Sequence, residues 1–156
     1  MKVLVADRLE RDGLNVLRKE RGLKADLKIG LTPEELVKVI PPYDAVIVRS
    51  GTRLTKEIIE AARNLKVIGR AGVGVDNVDL ETATKRGIIV MNTPEGNTTA
   101  TAEHTLTLML ALARKVPQAY VSLTRGKWRR EEFIGTELQG KTLGIIGLGR
   151  IGREVA

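Results

Sequence analysis

Gly147, Gly149 and Gly152 stand at the spacing G-x-G-x-x-G, directly after the apolar run 142–146 and ahead of the helix-favouring Arg153, Glu154, Val155 and Ala156. That pattern suits phosphate chemistry. The first glycine permits a tight turn, the second lets backbone approach a pyrophosphate, and the third lets the new helix lie close to the strand before it. The helix N-terminus adds free N–H groups and a partial positive charge. The plainer reading is a bare glycine turn; the strand-like run in front and the helix formers behind favour the cofactor fingerprint. The acidic residue that would hold a ribose belongs about 20 residues further on, past Ala156. The expectation is therefore a chain that carries the first strand and turn of a cofactor-binding domain without the remainder.

Two arginines give a second chemistry. Arg49 and Arg70 each follow a short apolar run, and a guanidinium offers a planar fork of donors matched to phosphate or carboxylate. Ser50 and Gly51 extend the first loop, and Gly72, Val73 and Gly74 follow the second arginine. Glycines at 72 and 74 would let successive N–H groups point into one concavity, an anion nest. Together these residues predict a small, multiply anionic ligand. The alternative is that Arg49 and Arg70 pair with Asp76 and Glu95 on the surface while the glycines only turn the chain. Two arginines at equivalent strand ends beside glycine loops favour the functional reading.

The elements that must position these loops alternate from the first residue. Strand-like runs cover 2–6, 25–29, 45–48, 66–69 and 88–91; helix-like stretches cover 9–21, 33–40, 55–64 and 80–86. Thr32, Pro33, Glu34 and Glu35 spell a capping box with proline at the first helical position, Pro41 and Pro42 end that helix, and Gly87 ends another. The 25–29 run alternates apolar with charged residues, as an edge strand does. Five strands with helices between them predict an α/β fold, a doubly wound parallel five-stranded sheet of flavodoxin-like type, which takes its ligands at the carboxyl ends of the strands. The expected division is a substrate-binding α/β domain over 1–97. Residues 98–156 follow as an interdomain helix, an oligomer arm and the start of a Rossmann domain.

Composition excludes several other classes. With no cysteine and one histidine, disulfides, thiolate chemistry and a His-rich metal site are ruled out. The net charge of +7 is scattered among acidic residues along helices and forms no basic block, which argues against nucleic acid and fits an anionic ligand. No apolar stretch approaches the ~20 residues of a membrane span and no targeting segment opens the chain, so the expectation is a cytoplasmic protein.

The runs VRSGT, VIGRAGVGVDNVDLETATKRGIIVMNTPEGNTTATAEHTLTLMLALAR and GKWRREEFIGTELQGKTLGIIGLGRIGREVA cover nearly the whole chain. They resemble the N-terminal part of the D-isomer-specific 2-hydroxyacid dehydrogenases, and most closely the members whose substrate is phosphorylated. The resemblance implies an NAD-dependent oxidoreductase acting on a small phosphorylated 2-hydroxy acid and working as a homodimer or larger homo-oligomer. It implies that Arg49 and Arg70 bind the substrate phosphate, that backbone at Val73 and Gly74 binds its carboxylate, and that Ser50, Gly51, Gly72 and Asn97 line the same site. Val73, Gly147, Gly149, Arg150, Ile151 and Gly152 would touch NAD, and Arg130 would reach a neighbouring subunit's site. The family's catalytic arginine, glutamate and histidine fall in sequence this chain does not contain, so the chain alone is expected to be inactive. A non-phosphorylated 2-hydroxy acid of the hydroxypyruvate or glyoxylate type is an alternative substrate, and a stand-alone binding or dimerising module is an alternative from another class.

His104, the only histidine, lies beside Glu103 and invites a proton-transfer role. The stretch 99–114 is apolar on most sides, as a helix buried between layers is, and predicts a structural His104. Trp128 and Phe133 among Lys127, Arg129 and Arg130 could stack on single-stranded nucleic acid; anchors of an oligomer arm over 117–135 are the simpler reading.

Overall fold

Short β-branched and aliphatic runs give strands β1 (Lys2–Val5), β2 (Lys24–Leu27), β3 (Ala45–Val48), β4 (Val67–Arg70) and β5 (Ile89–Asn92) in the computed structural model, which describes all residues from Met1 to Ala156. All neighbours are parallel, in the order β2-β1-β3-β4-β5. This is the flavodoxin-like doubly wound order. The connecting helices are α1 (Arg11–Lys19), α2 (Pro33–Val39), α3 (Lys56–Ala61) and α4 (Leu80–Lys85). The strands, helices and loops from Met1 to Gly96 make one compact unit, and Asn97–Ala156 a second.

The period-2 alternation of the strands sends Leu4, Val46, Val48 and Ile68 into one core, where Leu36, Ile40, Ile58, Ile59 and Ala83 from the helical layer meet them. Helices of six or seven residues are not stable alone. Burying each Leu or Ile contributes about 1.5–3 kcal/mol, so packing on the sheet holds α2 to α4 in place. Local signals then fix the ends. Thr32 Oγ1 accepts the Glu35 N–H at 3.3 Å while Glu35 Oε2 accepts the Thr32 N–H at 2.9 Å, the reciprocal capping box read in the sequence. Gly87 takes φ +67° where α4 stops. β2 lies at the sheet edge and buries no residue, in keeping with its alternation.

The second unit contains α5 (Thr98–Ala113), α6 (Val116–Thr124), a 3₁₀ turn (Arg130–Phe133) and α7 (Arg150–Val155). Three expectations are corrected here. Residues 142–146 form no strand, because every strand belongs to the β1–β5 sheet and the run has no ladder partner. The arm contains a helix the sequence reading did not assign: Lys115, at φ +53°, breaks the chain after α5, and Pro117 sits in the first turn of α6. α5 packs on α6 and α7 within its unit yet buries only Ala102, and His104 is exposed rather than enclosed.

Candidate functional site

Register brings the two arginine loops to one end of the sheet. Val48 is aligned with Arg70, and Arg70 with Asn92, so Arg49 emerges one residue beyond the level of Arg70. The group in the first unit is thus Arg49, Ser50, Gly51, Arg70, Gly72, Val73 and Gly74, at the carboxyl ends where doubly wound sheets take ligands. Asn97 and Arg130 belong to the second unit. Asn97 stands just before α5 without capping it, and Arg130 begins the 3₁₀ turn.

The alternative, in which these arginines pair with surface carboxylates, has no Arg49–Asp76 or Arg70–Asp76 ion pair behind it. Ion pairs join Lys56 to Glu60, Lys85 to Glu81 and Arg129 to Glu132. Arg70 instead folds its guanidinium back over Gly72: a Cβ at residue 72 would lie 1.7 Å from Arg70 Nη1 and 2.7 Å from Cζ. The Nε of Arg70 is buried and has no acceptor, an arrangement that costs free energy unless an anion reaches the same guanidinium.

The glycine nest is also corrected. Neither Gly72 nor Gly74 has a positive φ, so the left-handed step that would turn successive N–H groups into one concavity is absent, and the Gly72 N–H is bound to Arg70 C=O at 2.8 Å. These glycines provide room instead. Gly72 leaves space for the Arg70 guanidinium, and a Cβ at Gly74 would come within 2.8 Å of Asp76 Oδ1. The N–H groups of Val73 and Gly74 donate to no other group of the chain, and the Asn92 amide fixes Val73 by donating to its carbonyl at 2.7 Å.

Sequence reasoning missed Asp7, two residues past β1. Its carboxylate accepts the Arg49 N–H at 2.6 Å and the Thr52 N–H at 3.0 Å. The one local signal was an aspartate placed directly after the first strand-like run.

In the second unit the glycine run makes a turn into a helix, without the strand expected before it. Gly147 turns at φ +97°, α7 begins after Gly149, and a Cβ at Gly152 would strike Gly147 O at 2.0 Å and approach the Ile145 side chain at 3.4 Å. A Cβ at Gly149 would meet nothing within 4 Å, leaving that face open to a ligand. The turn therefore fits a dinucleotide pyrophosphate at the backbone of Gly147, Gly149, Arg150 and Ile151. No cluster of three or more His, Cys, Asp or Glu is placed to hold a metal ion. No helix is long and apolar enough to cross a membrane.

This sheet order, with basic loops at its carboxyl ends and a glycine turn in the second unit, agrees with comparison to known proteins. The chain belongs to the D-isomer-specific 2-hydroxyacid dehydrogenase family, whose catalytic-domain description matches residues 3–147. Within that family, the D-3-phosphoglycerate dehydrogenase of Archaeoglobus fulgidus is 56% identical over 156 residues, which is 100% of this chain and 29% of that relative. Among solved structures, the TT0316 protein of Thermus thermophilus superposes with a TM-score of 0.89 at 42% identity, covering 99% of this chain and 51% of that one. The NAD+-bound 3-phosphoglycerate dehydrogenase of Entamoeba histolytica superposes with a TM-score of 0.81 at 32% identity, covering 99% and 49%.

Proposed function

We propose that this chain is the substrate-recognition part of an NAD-dependent D-3-phosphoglycerate dehydrogenase of serine biosynthesis, a cytoplasmic enzyme that oxidises 3-phosphoglycerate to 3-phosphohydroxypyruvate. The observation that carries the reading is Arg70. Its guanidinium lies folded over Gly72 with Nε buried and no ion pair, beside the unengaged N–H groups of Val73 and Gly74. A phosphate on Arg49 and Arg70 and a carboxylate on those two N–H groups would satisfy the donors at once, with Ser50, Gly51 and Gly72 as the walls around them. Asn97 and Arg130 are proposed to reach the same ligand in the assembled enzyme, Arg130 from a neighbouring subunit. NAD, when bound, accepts the hydride. The backbone of Gly147, Gly149, Arg150 and Ile151 would hold its pyrophosphate, with Gly152 admitting the close turn and Val73 lying at the cofactor's edge. No residue of this chain is assigned to proton transfer.

Calorimetric titration of the chain with 3-phosphoglycerate tests the reading. Saturable binding is expected in the absence of cofactor, with no reduction of NAD when both are supplied, and D-glycerate should bind more weakly because it lacks the phosphate. Equal affinity for the two acids would favour a non-phosphorylated substrate. The absence of binding to either would return Arg70 to a structural role.

We also propose that the segment 117–135 is an oligomer arm. Tyr120, Leu123, Trp128 and Phe133 line an open cavity of about 420 Å³ that Arg130 shares, and Trp128 is 72% exposed. A large aromatic left in water beside an apolar hollow is the composition of an interface anchor.

A further inference from the structure

The loop that leaves β3 is held at two residues, and all four of their backbone polar groups end on two side chains. Asp7 Oδ2 accepts the Arg49 N–H at 2.6 Å and the Thr52 N–H at 3.0 Å, while Oδ1 accepts the Thr52 hydroxyl at 2.8 Å. From the loop between β4 and α4, Asn77 Nδ2 donates to the Arg49 carbonyl at 2.6 Å and to the Thr52 carbonyl at 2.7 Å. Gly51 leaves the carboxylate its space, since a Cβ there would lie 2.8 Å from Asp7 Oδ1. Asn77 is only 9% exposed and belongs to the loop that begins at Arg70. Backbone bonds from Leu54 N–H to Asn77 C=O at 2.8 Å and from Asp79 N–H to Leu54 C=O at 2.9 Å join the two loops a second time.

We infer that Asp7 and Asn77 are positioning residues: they clamp the Arg49–Thr52 loop in its anion-receiving conformation, and Asn77 ties that loop to the one carrying Arg70. The inference rests on the anion-binding reading above. Its sign sets it apart from simple electrostatics. Asp7 is a negative charge beside a loop that is to receive an anion, so through-space repulsion alone says that removing it tightens binding. A clamp says the reverse, because a loop released from its two anchors must be ordered again each time ligand binds. Asp7→Asn should then behave like the parent. Its remaining oxygen can accept both N–H groups, and the Thr52 hydroxyl can turn to the Ala6 carbonyl, 3.4 Å away, while accepting from the new amide.

The test measures 3-phosphoglycerate affinity by calorimetry and backbone amide exchange by NMR on the full chain and three variants. Asp7→Ala should bind at least about tenfold more weakly, the size of losing hydrogen bonds to a charged group. It should lose exchange protection at Arg49 and Thr52 while the amides of β1 and β3 stay protected, and Asp7→Asn should restore both properties. Asn77→Leu changes no charge and removes the two donors, and its side-chain Oδ1 has no partner to lose; it should reproduce the Asp7→Ala loss, and it carries the test if Asp7→Ala does not fold. An Asp7→Ala or Asn77→Leu protein that binds as tightly as the parent, or tighter, overturns the inference. A parent that binds no 3-phosphoglycerate, yet has Arg49 and Thr52 amides that become unprotected in these variants, upholds the clamp and overturns the anion-site reading instead.

Discussion

Replacing Gly72 by alanine should damage ligand binding through Arg70 and leave the fold nearly intact. The new Cβ would stand 1.7 Å from Arg70 Nη1, 2.7 Å from Cζ and 3.3 Å from Nε. Ordinary heavy-atom contact needs about 3.5 Å, so the guanidinium must retreat by roughly 2 Å. A charged hydrogen bond lengthened by that much is lost, and the loss is worth about 1.5–3 kcal/mol, or roughly ten- to 150-fold in affinity. Folding stability should change far less. Gly72 has no positive φ, the group displaced is the end of a flexible side chain, and alanine stabilises by about 0.4–1 kcal/mol through the unfolded chain. A double-mutant cycle with Arg70→Ala decides the mechanism. Once Arg70 is gone, Gly72→Ala has nothing left to push aside, so the double variant should bind 3-phosphoglycerate no more weakly than Arg70→Ala alone. Calorimetric affinities for the four proteins, with thermal midpoints as the stability control, provide the assay. Additive losses would mean that Gly72 matters to the ligand by itself, as a nest residue would, and the reasoning from the Arg70 contact would fail.

Two further outcomes follow from other parts of the chain. Tyr43 is buried and its hydroxyl donates to Asp26 Oδ2 at 3.0 Å; burial first, and then the bond to Asp26 and its charge, raise the phenol above its ordinary value. The folded state therefore holds this proton longer than the unfolded chain does. Stability from the pair is complete below about pH 10 and is lost as pH rises through the folded value, so denaturant titrations from pH 9 to 11.5 should fall less steeply for Tyr43→Phe than for the parent, and parallel slopes would refute the linkage. In the second unit, Leu108, Leu110 and Leu112 are 57%, 50% and 77% exposed. Burying such side chains contributes about 1.5–3 kcal/mol each, so light scattering at micromolar concentration should find dimers or larger species that Trp128→Ala loosens, and a sharp monomer peak at every concentration would remove the arm reading.

What the sequence made legible was whatever depends on near neighbours along the chain. The Thr32–Glu35 box spans one helical turn, Gly87 ends one helix, and the aliphatic runs of β1 and β3 each announce a strand, so the order of elements and with it the parallel sheet could be read directly. Runs that need a distant partner were read less well. The run 142–146 has a strand's composition, but a strand is a relation between two segments, and no second segment pairs with it. Asp7 was passed over for the same reason, since the amide it holds at Thr52 lies 45 residues away and no local pattern marks the pair. The glycines of 72–74 failed differently. A glycine needed for a left-handed turn and a glycine needed for empty space look alike in a sequence, because both positions exclude a Cβ. Only the surroundings separate them: at Gly147 the backbone itself is left-handed, whereas at Gly72 the excluded Cβ would collide with the guanidinium of Arg70. The absence of a side chain at position 72 is thus set by a side chain two positions earlier, so the placement of the Arg70 guanidinium at this strand end is a property of the arginine and Gly72 together.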